Sequence, residues 1–340
     1  MSKTSYYPIL KWKKGEQCAL QNLMPTGAFI PVIELVDECS PAEFFSALNS
    51  CYQGPIYFDT LRCDDDERTV LLRFNDYCKK HELKAWPVIY MNDVFTIIEA
   101  FATNSIFAVK LPVPEDFNGP SNKEALDVLK KYNSTNKIDL FFDAEMVLSQ
   151  KEANQAYANY NSLLKNYSDI LKDFNKVIIC LTSFPEKLDI GAGQSVEYDR
   201  FDIKIFQKLL RVFKESDIKS KLAYSDYGVT KFTDSEIDFR LLRYGILPKV
   251  KYTTYGSYFV SKGAKDHARG IYTISYKDIA NEIINAPFYF GRDFSFGDAE
   301  IYQKAKTPTS KTGGPTNWVS YCANHHIAVL IEQLSKILGA

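Results

Sequence analysis

The chain has 340 residues, 46% hydrophobic and 24% charged, an average globular composition that excludes a disordered, collagen-like or coiled-coil protein. Forty-one Lys and Arg against 42 Asp and Glu leave a net charge of −1, so no global field recruits an anionic membrane or long duplex DNA. No apolar run reaches the roughly 18–20 residues that span a bilayer, and the opening MSKTSYYPILKWKKGE lacks a signal-peptide core, so a cytoplasmic protein is expected.

In chain order, short apolar runs alternate with amphipathic segments. Residues 6–13 (YYPILKWK) can form a strand, followed by a helix over 15–23. A strand is expected over 28–35 (AFIPVIEL), then a helix over 41–50 opened by Ser40 and Pro41. Strand 55–60 and helix 66–81 follow, the helix spacing Val70, Leu71, Phe74 and Cys78 on one face. Strands over 85–91, 106–112, 137–144, 176–182 and 221–228 are near-continuously apolar, which suits parallel strands buried on both faces. Helical patterns over 122–132, 150–171, 201–216 and 235–244 fall among them.

Repeated β-then-α units favour parallel pairing through right-handed crossovers, and the count points to an α/β protein with a TIM-barrel-like (β/α)8 fold. The alternative, an open doubly wound parallel sheet, usually carries a Gly-rich phosphate turn, and neither G-x-G-x-x-G nor G-x-x-x-x-G-K-[ST] occurs. One domain over 1–340 is expected: a barrel core over 1–260, with a C-terminal hairpin, loop and helix over 261–340. Two frames stay open. Either 6–13 is the first barrel strand and 249–260 forms a hairpin with 270–276, or 249–260 is the last barrel strand. Residues 304–315 predict a loop, and 325–338 a final helix capped by Asn324.

In a closed parallel barrel the ligand site lies at the C-terminal ends of the strands. The polar residues expected there are Glu34, Asp59, Arg62, Lys110, Asp143, Glu145, Ser183, Asp226 and Tyr227, with Tyr255 on one frame and Lys11 and Lys13 on the other. Asp59 and Asp143 end apolar runs; they can divide acid and base roles, bind a divalent cation, or simply cap helices and pair with cations. Lys110, between Val109 and Leu111, can hold a phosphate, act as a desolvated nucleophile, or pair with Glu34 or Asp143. Glu34 reads as a base or a partner for Lys11, Lys13 or Lys110. Asp226 reads as catalytic or as a turn residue, and Glu16 as a helix-dipole partner. His325 and His326 point about 100° apart on a helix, so they cannot form a same-face metal pair, though one can face an anion at the mouth. Trp318 and Tyr321 can stack on a base or sugar or simply anchor the tail, and Tyr255, with Tyr252 and Tyr258, can dock a partner or ligand or belong to an ordinary strand with one wet face.

Three stretches carry a further signal: Tyr7-Pro8-Ile9-Leu10-Lys11-x-Lys13-x-Gly15-Glu16, Phe296-Gly297-Asp298, and Trp318-x-x-Tyr321-x-x-Asn324-His325-His326-Ile327. In this order and spacing they resemble the beta protein family, over nearly the whole chain. The resemblance implies a bacterial or phage protein engaged in phage–host conflict or phage defence, and it transfers no catalytic residue. Two functions follow from the sequence. The first is a hydrolase or transferase with Glu34, Asp59, Lys110, Asp143 and Asp226 around a small anionic or phosphorylated ligand, contacted by Lys11, Lys13, Tyr255, Trp318, His325 and His326. The alternative is a non-catalytic module that recognises a phage, nucleotide or protein partner.

Overall fold

Burial on both faces is what the apolar runs predict, and a closed parallel barrel supplies it. The computed structural model describes residues 4–23, 27–37, 39–63, 66–115, 119–230, 247–266, 268–308 and 311–339. The helix expected over 235–244 lies outside them, as does His267. The chain runs β1 (Tyr6–Lys11), α1 (Lys14–Gln21), β2 (Val32–Glu34), α2 (Pro41–Cys51), β3 (Ile56–Asp59), α3 (Glu67–Lys80) and β4 (Ala85–Tyr90). A one-turn α4 (Met91–Val94), β5 (Ile106–Pro112), α5 (Asn122–Tyr132), β6 (Lys137–Met146), α6 (Gln150–Asn166), a one-turn α7 (Ser168–Leu171) and β7 (Lys176–Thr182) follow. Then come β8 (Ser195–Asp199), α8 (Phe201–Val212) and β9 (Leu222–Asp226). Strands β1 to β7 and β9 close in that order into a barrel, every pairing parallel.

The alternation along each strand sorts side chains between two cores. On β5, Phe107, Val109 and Leu111 point out to the helices, whereas Ala108 joins Tyr7, Tyr57 and Phe141 inside the lumen. Helix starts follow local chemistry. Ser40, Ser121 and Ser149 each accept from the backbone N–H three residues on, and Glu43, Glu124 and Glu152 reach back to them.

The frame with 6–13 as first barrel strand is the one observed: β1 pairs with β2 on one side and β9 on the other. Residues 249–260 do not pair with 270–276. They fold on themselves as β10 (Lys249–Thr253) and β11 (Ser257–Lys262), and β11 pairs with β8 to complete an antiparallel sheet. A two-stranded ribbon, β12 (Ala264–Asp266) and β13 (Ile271–Ile274), stands apart from it. Three helices close the chain: α9 (Tyr276–Ile284), α10 (Phe296–Lys306) and α11 (Pro315–Gly339).

The last helix corrects the expected start at 325. It begins ten residues earlier, at Pro315, where a proline costs no helical hydrogen bond. Asn324 is therefore mid-helix and caps nothing there. Its amide donates to the carbonyls of Ala19 and Asn22, both at 3.2 Å, and its oxygen accepts from Gly297 N at 3.0 Å. No described helix is long and apolar enough to cross a membrane.

Candidate functional site

The parallel register sets a ring of charge at one end of the lumen. Lys11, Glu34 and Asp59 are neighbours across β1, β2 and β3, and Tyr90 pairs with Lys110 across β4 and β5. Each is the last inward-facing residue of its strand or close to it, so their side chains converge at the C-terminal face. Lys110 is the centre. Its Nζ lies 3.5 Å from Asp59 Oδ2 and 3.8 Å from Asp143 Oδ2, and 3.4 Å from the hydroxyls of both Tyr90 and Tyr227.

The two aspartates are built alike. Asp59 Oδ2 accepts from Tyr90 OH at 2.6 Å, and its Oδ1 accepts from Leu61 N at 3.1 Å. Asp143 Oδ2 accepts from Tyr227 OH, and its Oδ1 accepts from Glu145 N at 2.8 Å. One oxygen of each thus ties down the following loop while the other faces the lysine. Burial works against the charge on Lys110, but Tyr90, Asp59 and Asp143 outweigh it and hold the ammonium well above the ordinary lysine range. Lys110 is accordingly a fixed cation, and the deprotonated nucleophile considered from sequence is not what this surrounding favours. Burial also pushes Tyr90 and Tyr227 up, so both remain neutral donors.

Glu34 differs from the aspartates. Burial raises its carboxyl above the usual glutamate range, and the neighbouring Asp59 adds to the rise, against the pull of Lys110, Arg62 and Lys11. Arg62 Nε sits 3.3 Å from its Oε2. Glu34, Tyr90, Lys110, Asp143, Glu145 and Tyr227, with Arg62, line a cavity of about 320 Å3. That volume is at the lower end of small-molecule sites. No group of three or more His, Cys, Asp or Glu side chains arranged to hold a metal occurs among the described residues. The oxygens of Asp59 and Asp143 that a divalent cation would need already face Lys110 and tyrosine hydroxyls.

A larger cleft, of about 860 Å3, opens at the other end of the barrel, where Ser5, Lys176 and Leu222 meet Leu334 and Leu338 of α11. It lies beside the strand N-termini, away from the charged ring.

The remaining expected site residues lie elsewhere. Asp226 faces outward from β9, opposite in direction to its neighbour Tyr227, and takes no part in the cavity. It accepts from Tyr6 OH at 2.8 Å and Gly228 N at 3.1 Å, and pairs with His326 Nε2 at 3.0 Å. Burial opposes its charge, yet His326, Arg200 and Tyr6 hold the carboxyl below the usual range. His326 Nδ1 meets Thr253 Oγ1 at 2.9 Å. His325 Nδ1 meets Asp298 Oδ2 at 2.7 Å, and Asp298 Oδ1 accepts from Tyr252 OH at 2.7 Å. Both histidines are sealed, at 0% and 1% exposure, so neither faces a mouth. Trp318 is equally interior, stacked on Tyr276 with centroids 4.8 Å apart. Tyr255 is 42% exposed and donates to Glu332 of α11, on the outer surface. Lys13 is exposed just before α1, and Ser183 accepts from Asp202 N at the start of α8.

These placements give the three sequence motifs a physical meaning. Gly15, Gly297, Asp298, Trp318, Asn324, His325 and His326 meet where α10 and α11 dock on α1, β9 and β10. A Cβ on Gly15 would lie 2.6 Å from Val319 Cγ1, so only glycine lets α1 approach α11. Glu16 belongs to the same seam, where burial lifts its carboxyl from 4.5 to about 7 in spite of Lys251, Lys13 and Lys11. A raised folded-state value means stability is fully present below the unfolded value and is lost as pH climbs to about 7. Glu16→Gln is expected to remove that loss. Urea unfolding at pH 5 and pH 8 should show a gap in the native chain, on the order of 3 kcal/mol, that shrinks in the variant.

Sequence reasoning did not single out Tyr90, nor the floor of the lumen. There Asp139, inside β6, accepts from Tyr57 OH at 2.8 Å and Asn175 Nδ2 at 2.5 Å. Tyr90 was visible only as the third member of the alternation Trp86, Val88, Tyr90 on β4.

Comparison with known proteins adds a family. A family model described as Beta protein matches residues 6–332. No curated protein matches. Two solved structures of TubZ from Clostridium botulinum phage c-st, the second lacking its C-terminal tail, align at 11% and 10% identity with TM-scores of 0.20. They cover 77% and 76% of this chain and 92% of their own.

Proposed function

The chain belongs to the Beta protein family, and from that premise we propose that its barrel is a hydrolase or transferase acting on a small, neutral, hydroxyl-bearing ligand at the C-terminal face. The observation that carries this reading is the contrast around Lys110. Asp59 and Asp143 share one ammonium and each take a tyrosine hydroxyl, whereas Glu34, in the same ring, is raised by burial. A buried carboxyl raised by its surroundings, beside a fixed ammonium and two tyrosine donors, is an arrangement that acid–base chemistry uses. Glu34, whose carboxyl burial raises, gives a proton to a leaving oxygen as the bond to it breaks, while Lys110 and the two tyrosines orient the ligand's hydroxyls.

Charge favours a neutral ligand over the anionic one expected from Lys110 alone. Among the described residues, Glu34, Asp143 and Glu145 share the lining with two cations, Lys110 and Arg62. An added phosphate would meet those carboxyl groups at close range. A phosphorylated ligand is the second reading, because Arg62 stands on the cavity wall. Family membership supports a place for this chemistry in phage–host conflict, and seven free thiols suit a reducing, cytoplasmic setting. Recognition of a phage, nucleotide or protein partner without catalysis is the competing class.

A thermal-shift panel of neutral glycosides, nucleosides and sugar phosphates on the whole chain separates these readings. The neutral members are expected to raise Tm, and Lys110→Met is expected to abolish the rise. A rise with sugar phosphates alone moves the assignment to the anionic ligand. A stable macromolecular partner with no small-molecule shift overturns it.

A further inference from the structure

We propose that Glu145 is the second proton-transfer group of this site, the base that activates water across the cavity from Glu34. The inference rests on the hydrolytic reading above and names the partner that reading lacks.

Three features single out Glu145, the first two belonging to one bulge. Its backbone is left-handed, with φ 56°, one of two non-glycine residues at positive φ among the described residues. Glutamate pays for that conformation, and such strain gathers at working sites. The register of β6 against β7 also shifts between Asp143 and Met146, so a bulge re-aims the chain at this point. Asp143 holds the bulge closed by accepting from Glu145 N at 2.8 Å with the oxygen that does not face Lys110. Finally, Glu145 lines the same cavity as Glu34. Strands β2 and β6 are four apart in either direction around the closed order, so the two carboxyl groups stand on opposite walls.

Their surroundings suit different roles. Glu34 is 4% exposed, at the inner wall of the cavity. Glu145 is exposed at the rim, where water arrives. Its carboxyl is raised by partial burial and by Asp143, against Lys110 and Arg62. In the step this geometry supports, water attacks the ligand's electrophilic atom and gives one proton to the Glu145 carboxylate. The bond to the leaving oxygen breaks with its electron pair, and that oxygen takes the proton of Glu34. Glu145 then releases its proton to solvent and Glu34 regains one, so charge and atoms balance.

The test pairs a chemical and a physical readout. Native protein and Glu145→Asn are assayed for hydrolysis of a panel of p-nitrophenyl glycosides and nucleosides, and their Tm is measured. Asparagine tolerates the left-handed region, so Glu145→Asn is expected to raise Tm by about 1–3 °C while lowering turnover at least about 100-fold. Glu34→Gln is expected to lose turnover to a similar degree. Turnover that survives Glu145→Asn while Glu34→Gln abolishes it overturns the role of Glu145 and leaves the hydrolytic reading intact. Turnover absent from the native protein overturns both. A fall in Tm for Glu145→Asn removes the strain argument and counts against the inference.

Discussion

Lys110→Met is expected to destabilise the protein by about 3–5 kcal/mol, the largest effect of any single side chain in the lumen. Lys110, Asp59 and Asp143 are 6%, 1% and 7% exposed, so removing the ammonium leaves two buried carboxylates without their shared cation. Methionine matches the stem in volume, which isolates the charge from the packing. The effect has a definite pH sign. The Lys110 ammonium is held above its ordinary range, so its contribution is fully present at neutral pH and fades only as pH climbs past the ordinary lysine value of 10.5. Lys110→Met combined with Asp143→Asn should recover part of the lost stability at neutral pH. Urea unfolding of the three proteins measures this directly, and a cost below about 1 kcal/mol would show that the ring is not a coupled unit.

Gly297→Ala is the second large effect, and it acts at the far side of the molecule. A Cβ at this position would lie 2.1 Å from the carbonyl oxygen of Tyr321 and 3.1 Å from His325 Cβ. Backbone cannot step aside as a flexible side chain can, so α10 has to lift from α11. That lift breaks the bond from Gly297 N to Asn324 and draws Asp298 off His325. A cost of about 3 kcal/mol or more is expected, read by denaturant midpoint. Gly256→Ala, where nothing lies within 4 Å of the added carbon, is the control and should fall within about 0.5 kcal/mol of the native chain.

These two sites show what the sequence made legible and what it hid. The barrel was readable because parallel strands are apolar on both faces, and runs such as IFAVKLP announce that without help from their partners. The ambiguity over the first strand had a physical origin. Residues 249–260 carry strand-forming residues like a barrel strand's, but Tyr252 and Tyr258 enter a second core with Trp318 rather than the lumen. Their partner β8 (SVEYD) is short, polar on alternate residues and half exposed, so its pattern carried little signal. Lys110, Asp59, Asp143 and Glu34 stood out because a charge inside an apolar run has few explanations, and the closed barrel brings the four together.

Other residues misled for equally specific reasons. Asn324 resembles a helix cap, since asparagine favours that place when its amide has no better partner. Here α1 supplies better partners. His325 and His326 resemble ligands, but each finds an aspartate already inside the fold. Asp226 and Tyr227 are adjacent in sequence and serve opposite sides of one strand. Asp226 fastens α11 through His326, while Tyr227 donates to Asp143 within the cavity. The family motif is thus a fastening that sets the position of one wall of the site. Glu145 stood among the polar residues expected at the strand ends, but nothing in the sequence set it apart, because its distinction lies in a backbone angle and a register shift.

On the proposed function, the working site is the cavity around Lys110, and the histidine motif has a structural task. Chemical-shift mapping of the isotopically labelled chain against a neutral glycoside or nucleoside that raises its Tm tests that division most directly. Saturable shifts are expected at Glu34, Tyr90, Lys110 and Glu145, with His325 and His326 unmoved. Saturable shifts centred on the two histidines, with the Lys110 ring silent, would contradict it.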